Sequence, residues 1–312
     1  MTKILVTGAN GFVGSALCDT LHARGINFLP AVRQARQDRQ FAVGDLSGST
    51  KWADALAGCD VVIHLAARVH VMNDKSNNPL AAFRAVNVDA TMNLARQAVQ
   101  SGVKRFIFIS SVKVNGEETS GKPFTAFDKP MPIDPYGQSK LEAEIALREL
   151  SHFTGLEVVI VRPPLVYGPG VRANFRRLMQ LVRLSVPLPL GAIHNYRSMV
   201  SLDNLVDLLV VCSQHPDAAN QTFMVSDDCD VSTTVLLRML SDAMGRRSLL
   251  LPVPSKLIYG AAALIGKSAV ADRLLGSLQV DITHTKTALQ WRPATTMQES
   301  LIKTVAHFLN QH

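Results

Sequence analysis

Apolar runs of six to eight residues recur along the first half of the chain and alternate with stretches of helical period. The runs read KILVTG from Lys3, FLPAVR from Phe28, DVVIHLAA from Asp60, RFIFISS from Arg105 and EVVIVRP from Glu157. Between them, apolar positions spaced three and four apart predict helices near residues 11–24, 49–57, 87–101 and 136–154. Strands that alternate with helices predict an α/β fold with a doubly wound parallel sheet, because each parallel connection needs a helical crossover. After Pro163 the rhythm breaks at RPPLVYGPG and VPLPLG, so a second, smaller unit is expected to begin there. Residues 196–226 again read strand, helix, strand. The expected division is therefore 1–165 plus about 198–225 in one domain, and about 166–197 plus 226–312 in a discontinuous second domain.

Composition narrows the class. A chain of 312 residues, 47% hydrophobic and 18% charged, suits one large core with a smaller domain against it. The opening MTKILVTG has the look of neither a signal nor a transit peptide. The longest apolar stretch, 257–265, is too short to span a bilayer, so no membrane insertion is expected. Cys18, Cys59, Cys212 and Cys229 show no paired spacing, which suits a reducing compartment and a cytoplasmic location. The formal charge of +7 includes no run of five basic residues. It fits a solvated basic surface or two anionic ligands in one cleft, rather than nucleic acid. The histidines lack ligand spacing, so no metal is expected. His64, Trp52 and Trp291 read as packing residues.

The sharpest local signal is TGANGFVG. Gly8, Gly11 and Gly14 follow an apolar strand and open an amphipathic helix, the context in which glycines bring backbone against a pyrophosphate at a helix N-terminus. This predicts a Rossmann-type dinucleotide site. At the end of the second strand, where an acid would hold the ribose of NAD, stands Arg33, with Arg36 close behind. Paired guanidinium donors suit a 2′-phosphate, so NADP(H) is favoured and NAD(H) is the alternative. A solvated loop accounts for the same arginines. Asp45 has two readings: a contact to the adenine amino group, or an ordinary turn aspartate.

Tyr136 and Lys140 lie four apart at a predicted helix start and share a face. A phenol with a pKa near ~10 is a poor base at neutral pH, and an adjacent ammonium would favour its phenolate. Lys140 is thus expected to lower the Tyr136 pKa and to bind the cofactor ribose. Ser111, at the end of RFIFISS, would hold the same substrate oxygen.

Over nearly its whole length the sequence resembles the extended short-chain dehydrogenase/reductase family, in its nucleotide-sugar epimerase and dehydratase group. The resemblance rests on TGANGFVG, GDL at Asp45, HLAA, Asn87, ISSVKVNG, PYGQSK and RPPLVYGPG, with RSMVSLDNLVD and DITHTKTALQW later in the chain. It implies a nucleotide-sugar substrate and, commonly, a homodimer. It further implies cofactor contacts from Phe12, Val13, Leu46, Leu65, Ala66, Ala67, Asn87 and Pro163. Lys113, Asn115, Tyr167 and Asn174 would meet the sugar nucleotide, and Arg197 and Arg273 its diphosphate.

Departures from the family pattern narrow the activity. The dehydratases carry an Asp-Glu pair just after the catalytic hydroxyl; here the stretch is Val112-Lys113-Val114, which argues against dehydration. Arg33 tilts the balance from a 4-epimerase toward a net reductase, which must exchange its spent cofactor. The expectation is NADPH-dependent reduction of the 4-keto group of a UDP-linked 4-keto-6-deoxy-hexosamine for surface polysaccharide synthesis. The alternatives are a UDP-hexose or UDP-N-acetylhexosamine 4-epimerase with tightly bound NAD, a reductase for a free small ketone, and a non-catalytic NADP-sensing protein. A membrane-surface role for residues 255–276 competes with a buried or subunit-contacting helix.

Overall fold

The computed structural model describes residues 2–36, 39–69, 78–264 and 266–311. Ile265, the end of the apolar stretch noted above, lies outside them.

The first half runs β1 (Lys3–Thr7), α1 (Phe12–Ala23), β2 (Asn27–Val32), β3 (Phe41–Ala42), α2 (Ala53–Leu56), β4 (Val61–His64), α3 (Pro79–Arg84), α4 (Thr91–Gln100), β5 (Arg105–Ile109), α5 (Pro135–Thr154) and β6 (Glu157–Arg162). The second half adds β7 (Leu165–Tyr167), α6 (Ala173–Arg183), β8 (Met199–Ser201), α7 (Leu202–Gln214), β9 (Thr222–Met224), α8 (Thr233–Ala243), α9 (Ser255–Leu264), α10 (Ser268–Leu275), α11 (Thr283–Leu289) and α12 (Met297–Asn310). Seven strands pair in the order β3-β2-β1-β4-β5-β6-β9, every neighbour parallel. The strand order reverses between β1 and β4, and the crevice above that point is where such sheets hold ligands.

The strand run in the second half closes on the main sheet through β9, while β8 pairs with β7 in a separate two-stranded ribbon. Two helices differ from expectation. The one expected over 49–57 shrinks to the single turn of α2, because Trp52 turns its backbone N–H to the Gln97 side chain, 2.8 Å away. The one expected from residue 87 begins earlier, at Pro79, with Asn78 as its N-cap, and passes through a π-helical turn, Ala85–Ala90. Such turns insert a residue into the helix and re-aim its side chains.

Three apolar clusters hold the molecule together. Against one sheet face pack α1, α7 and α11, through Leu17, Leu205, Leu209 and Leu289. Against the other pack α2, α4 and α5, through Leu56, Leu94 and Leu147 onto Phe106 and Phe108. Each of these phenylalanines is fully buried, a contribution of about 2 kcal/mol or more. The third cluster joins α6, α8 and α12 around Phe175, Leu237 and Leu301.

Candidate active site

The turn after β1 is built by backbone contact. Gly8 has φ +66°, and a Cβ there would stand 2.9 Å from the Ala66 amide nitrogen. A Cβ on Gly14 would fall 2.1 Å from the Gly8 carbonyl, so α1 rests directly on the turn. The first turn of α1, with Phe12 and Val13, begins at Gly11, which provides no side-chain cap. Its N–H groups and positive dipole end thus face the crevice without a side-chain acceptor, as a pyrophosphate requires. The floor is locked: the Thr7 hydroxyl meets His64 Nδ1 at 2.7 Å, His64 Nε2 meets the Thr91 hydroxyl at 3.0 Å, and the Ala66 amide donates to Thr7 Oγ1 at 3.3 Å. Burial, helped by the Lys140 charge, pushes His64 down to about 3, so the ring is neutral. This matches its reading as a packing residue. Together these residues fit a dinucleotide.

Asn87 is buried in the π-helical turn. It accepts from the Arg68 amide (2.9 Å) and donates to the Arg68 carbonyl (3.1 Å) and Ser139 Oγ (3.0 Å). It therefore clasps the Leu65, Ala66 and Ala67 segment to α5. At the adenosine end, Arg33 follows β2, and its Nε lies 2.9 Å from Asp45 Oδ1; both side chains are mostly exposed, at 74% and 85%. Asp45 is thus engaged by Arg33. The Arg36 amide donates to Gln40, and Leu46 packs at the edge of the core.

At the reacting end, Ser111 follows β5 and caps the turn Val112–Val114, and Tyr136 lies in the first turn of α5. Asp134 caps that helix: its Oδ1 accepts from the Gly137 amide at 2.6 Å, and Pro135 takes the first position. A Cβ on Gly137 would lie 2.7 Å from the Lys113 carbonyl, so the helix start and the turn after Ser111 touch backbone to backbone. The Ser111 hydroxyl draws the Tyr136 pKa down, and the phenol ring meets Phe83 edge-on at 6.0 Å. Lys140 is buried; its Nζ donates to the Ile109 carbonyl at 2.7 Å and lies 4.4 Å from the Phe108 ring centroid.

The electrostatics correct one expectation. Tyr136 is not held toward its phenolate: burial and then the Asp134 charge push its pKa up, against the pull of Ser111. Lys140 is itself pushed down to about 7 by burial, opposed by Glu144. An ammonium that is costly to keep charged, and that donates to a carbonyl, supplies little to the phenol.

On the sugar side, Lys113 Nζ is held by Asp134 (2.5 Å) and Glu117 (2.8 Å). Asn115 is buried, donating to the Thr125 carbonyl and accepting from Arg162, which in turn pairs with buried Glu144 at 2.5 Å. The Pro163 carbonyl accepts from the Val112 amide. Arg197 donates to the Arg273 and Gly276 carbonyls, which brings the two arginine positions together. Asn174 is exposed in the first turn of α6. Tyr167 departs from its expected place at the sugar. It is fully buried, stacks on Phe175 and donates to Asp227 at 2.6 Å, an apolar environment and a carboxylate together claiming the side chain.

Sequence reading missed Asp134, Glu144 with Arg162, and the Thr7–His64–Thr91 chain. Asp134 had a local signature, an N-cap acid before a helix-initial proline; the others join residues far apart in sequence. A cleft of about 590 Å³ lined by Asp227, Asp228, Lys286, Arg292 and Thr296 contains none of Ser111, Tyr136 and Lys140.

Comparison with known proteins bears on this arrangement. The family profile described as "NAD dependent epimerase/dehydratase family" matches residues 4–226. A protein of Vibrio cholerae named UDP-glucose 4-epimerase is 50% identical over 98% of this chain and 95% of its own. The structure of MoeE5 in complex with UDP-glucuronic acid and NAD is 26% identical, with a TM-score of 0.79 over 99% of this chain and 100% of that one. The UDP-glucuronic acid 4-epimerase of Bacillus cereus in complex with NAD, 22% identical, has a TM-score of 0.80 over 99% of both chains and shares the fold.

Proposed function

The chain belongs to the NAD dependent epimerase/dehydratase family, an enzyme of the extended short-chain dehydrogenase/reductase type, and on that premise we propose that it reduces the 4-keto group of a UDP-linked 4-keto-6-deoxy-hexosamine with NADPH. The observation that carries this reading is the adenosine end of the cleft: Arg33 and Arg36, not an acid, follow β2, and Arg33 is exposed, with its Nε paired to Asp45. A guanidinium fork there suits a 2′-phosphate, and an open end suits a cofactor exchanged at every turnover.

When bound, the dinucleotide supplies a hydride to sugar C4. Tyr136 delivers the proton to O4, for which its raised pKa is apt, since the phenol stays protonated at neutral pH. Ser111 orients that oxygen by a second hydrogen bond. Lys140, buried beside the Ile109 carbonyl, would hold the nicotinamide ribose. The turn Val112–Val114 carries Lys113 in place of an acid pair, which argues against elimination of water. Residues about 166–197 and 226–312 would bind the nucleotide, with Arg197 and Arg273 on its diphosphate.

A second reading, UDP-hexose or UDP-N-acetylhexosamine 4-epimerisation with retained NAD, is favoured by the 50% identity to the Vibrio cholerae protein. One experiment separates the two. Purified protein is mixed with NADPH or NADH and freshly generated UDP-4-keto-6-deoxy-N-acetylhexosamine, and loss of reduced cofactor is followed by absorbance. Rapid loss with NADPH supports reduction. No loss with either cofactor, together with interconversion of UDP-glucose and UDP-galactose by protein that carries NAD from purification, replaces it with epimerisation.

A further inference from the structure

We propose that α9, α10 and the adjoining loops form a docking surface for an anionic lipid bilayer. Helix α9 has no buried residue. Its inward side leans on the third apolar cluster through Ile258, while Leu257, Ala261 and Leu264 recur at i, i+4 and i+7 on the outward side. Leu257 is 65% and Leu264 90% exposed, and Val270 of α10 is 50% exposed. In the chain leading into α9 two segments run together: the Leu188 amide donates to the Leu249 carbonyl at 2.9 Å, and the Leu251 amide to the Leu188 carbonyl at 2.8 Å. These segments expose Leu184, Val186, Leu249 and Leu251. Leucines and valines exposed on a helix and the loops leading into it mark a candidate interaction site.

Charge selects the occupant. Residues 244–275 hold five basic side chains, Arg246, Arg247, Lys256, Lys267 and Arg273, against the single acid Asp272. Arg246, Arg247, Lys256 and Lys267 are exposed, and Lys256 and Lys267 bracket the α9 leucines in sequence. Leucines flanked by lysines and arginines match the acyl boundary and the anionic headgroups of a leaflet. A second copy of this chain is the poorer partner, since a two-fold contact would set the same cations against one another. No helix among the described residues is long and apolar enough to cross a membrane, so the contact is peripheral.

The test is co-sedimentation with phosphatidylcholine vesicles, with and without phosphatidylglycerol. The wild-type chain should pellet with the anionic vesicles and be released by salt. The bound fraction should fall about tenfold in L257E/L264E and also fall in K256E/K267E. These positions lie outside the catalytic and binding residues named above, so both variants should keep the wild-type circular dichroism spectrum and turnover of the soluble substrate. A chain that stays in the supernatant, or binds neutral and anionic vesicles alike, overturns the proposal. So does a dimer seen by light scattering that L257E/L264E dissociates without any vesicle binding, which would assign the surface to a second copy.

Discussion

The two ends of the dinucleotide crevice are built on opposite plans. At the reacting end the supporting side chains are held by burial: Lys140 is 2% exposed, Glu144 and Arg162 pair beneath it, and Gly137 lies against the Lys113 backbone. At the adenosine end the chosen charges, Arg33 and Asp45, meet in the open on a turn. The difference teaches where rigidity is required. Proton transfer needs the donor within a hydrogen bond of the reacting oxygen, so its neighbours are locked by burial. Under the proposed function, choice between two cofactors would need only a charge near a phosphate, which a solvated side chain could provide.

Four substitutions break or sharpen that contrast. The largest effect belongs to Tyr136→Phe, which should lower kcat by about a hundred- to ten-thousandfold while leaving thermal stability intact; steady-state kinetics beside a melting curve checks it. Next is Glu144→Ala, which strands the buried Arg162 guanidinium and should cost about 3–5 kcal/mol in denaturant unfolding.

Third is the pH dependence of the crevice floor. Folded His64 is pushed down from 6.5 to about 3, chiefly by burial. As pH falls through 6.5 the unfolded chain takes up a proton that the folded chain refuses, so stability drops between 6.5 and 3. His64→Asn should flatten that part of the curve, measured by urea unfolding across the same range. The smallest effect should come at the open end. Arg33→Ser is expected to move the NADPH-to-NADH preference by about tenfold toward NADH, since one charge-assisted fork is lost. The melting temperature should hold, because an exposed ion pair adds little to stability; an unchanged cofactor ratio would count against the role given to Arg33.

The same contrast marks what a reader of the sequence could see. The parallel sheet was legible because strand and helix periods are local, and the glycine turn was legible because Gly8 and Gly14 sit where any side chain would strike backbone. Ser111, Tyr136 and Lys140 were recognisable by their places on strand end and helix start. Tyr167 looked like a sugar contact because it sits in a motif; the fold buries it against Phe175 and Asp227. The protonation state of Tyr136 was misjudged for the same reason. Spacing puts an ammonium four residues away, while its actual partner is the Ile109 carbonyl.

By itself, the sequence determined the alternation of elements, the glycine turn after β1 and the helix face that carries the tyrosine and lysine, since each depends on residues within one or two turns of each other. Tertiary structure alone decided which of those side chains are charged and which are free. Burial, the Asp134 cap, the Glu144–Arg162 pair and the Thr7–His64–Thr91 chain each join residues from separate elements, and the energy of an ionisable group depends on what surrounds it in space rather than along the chain.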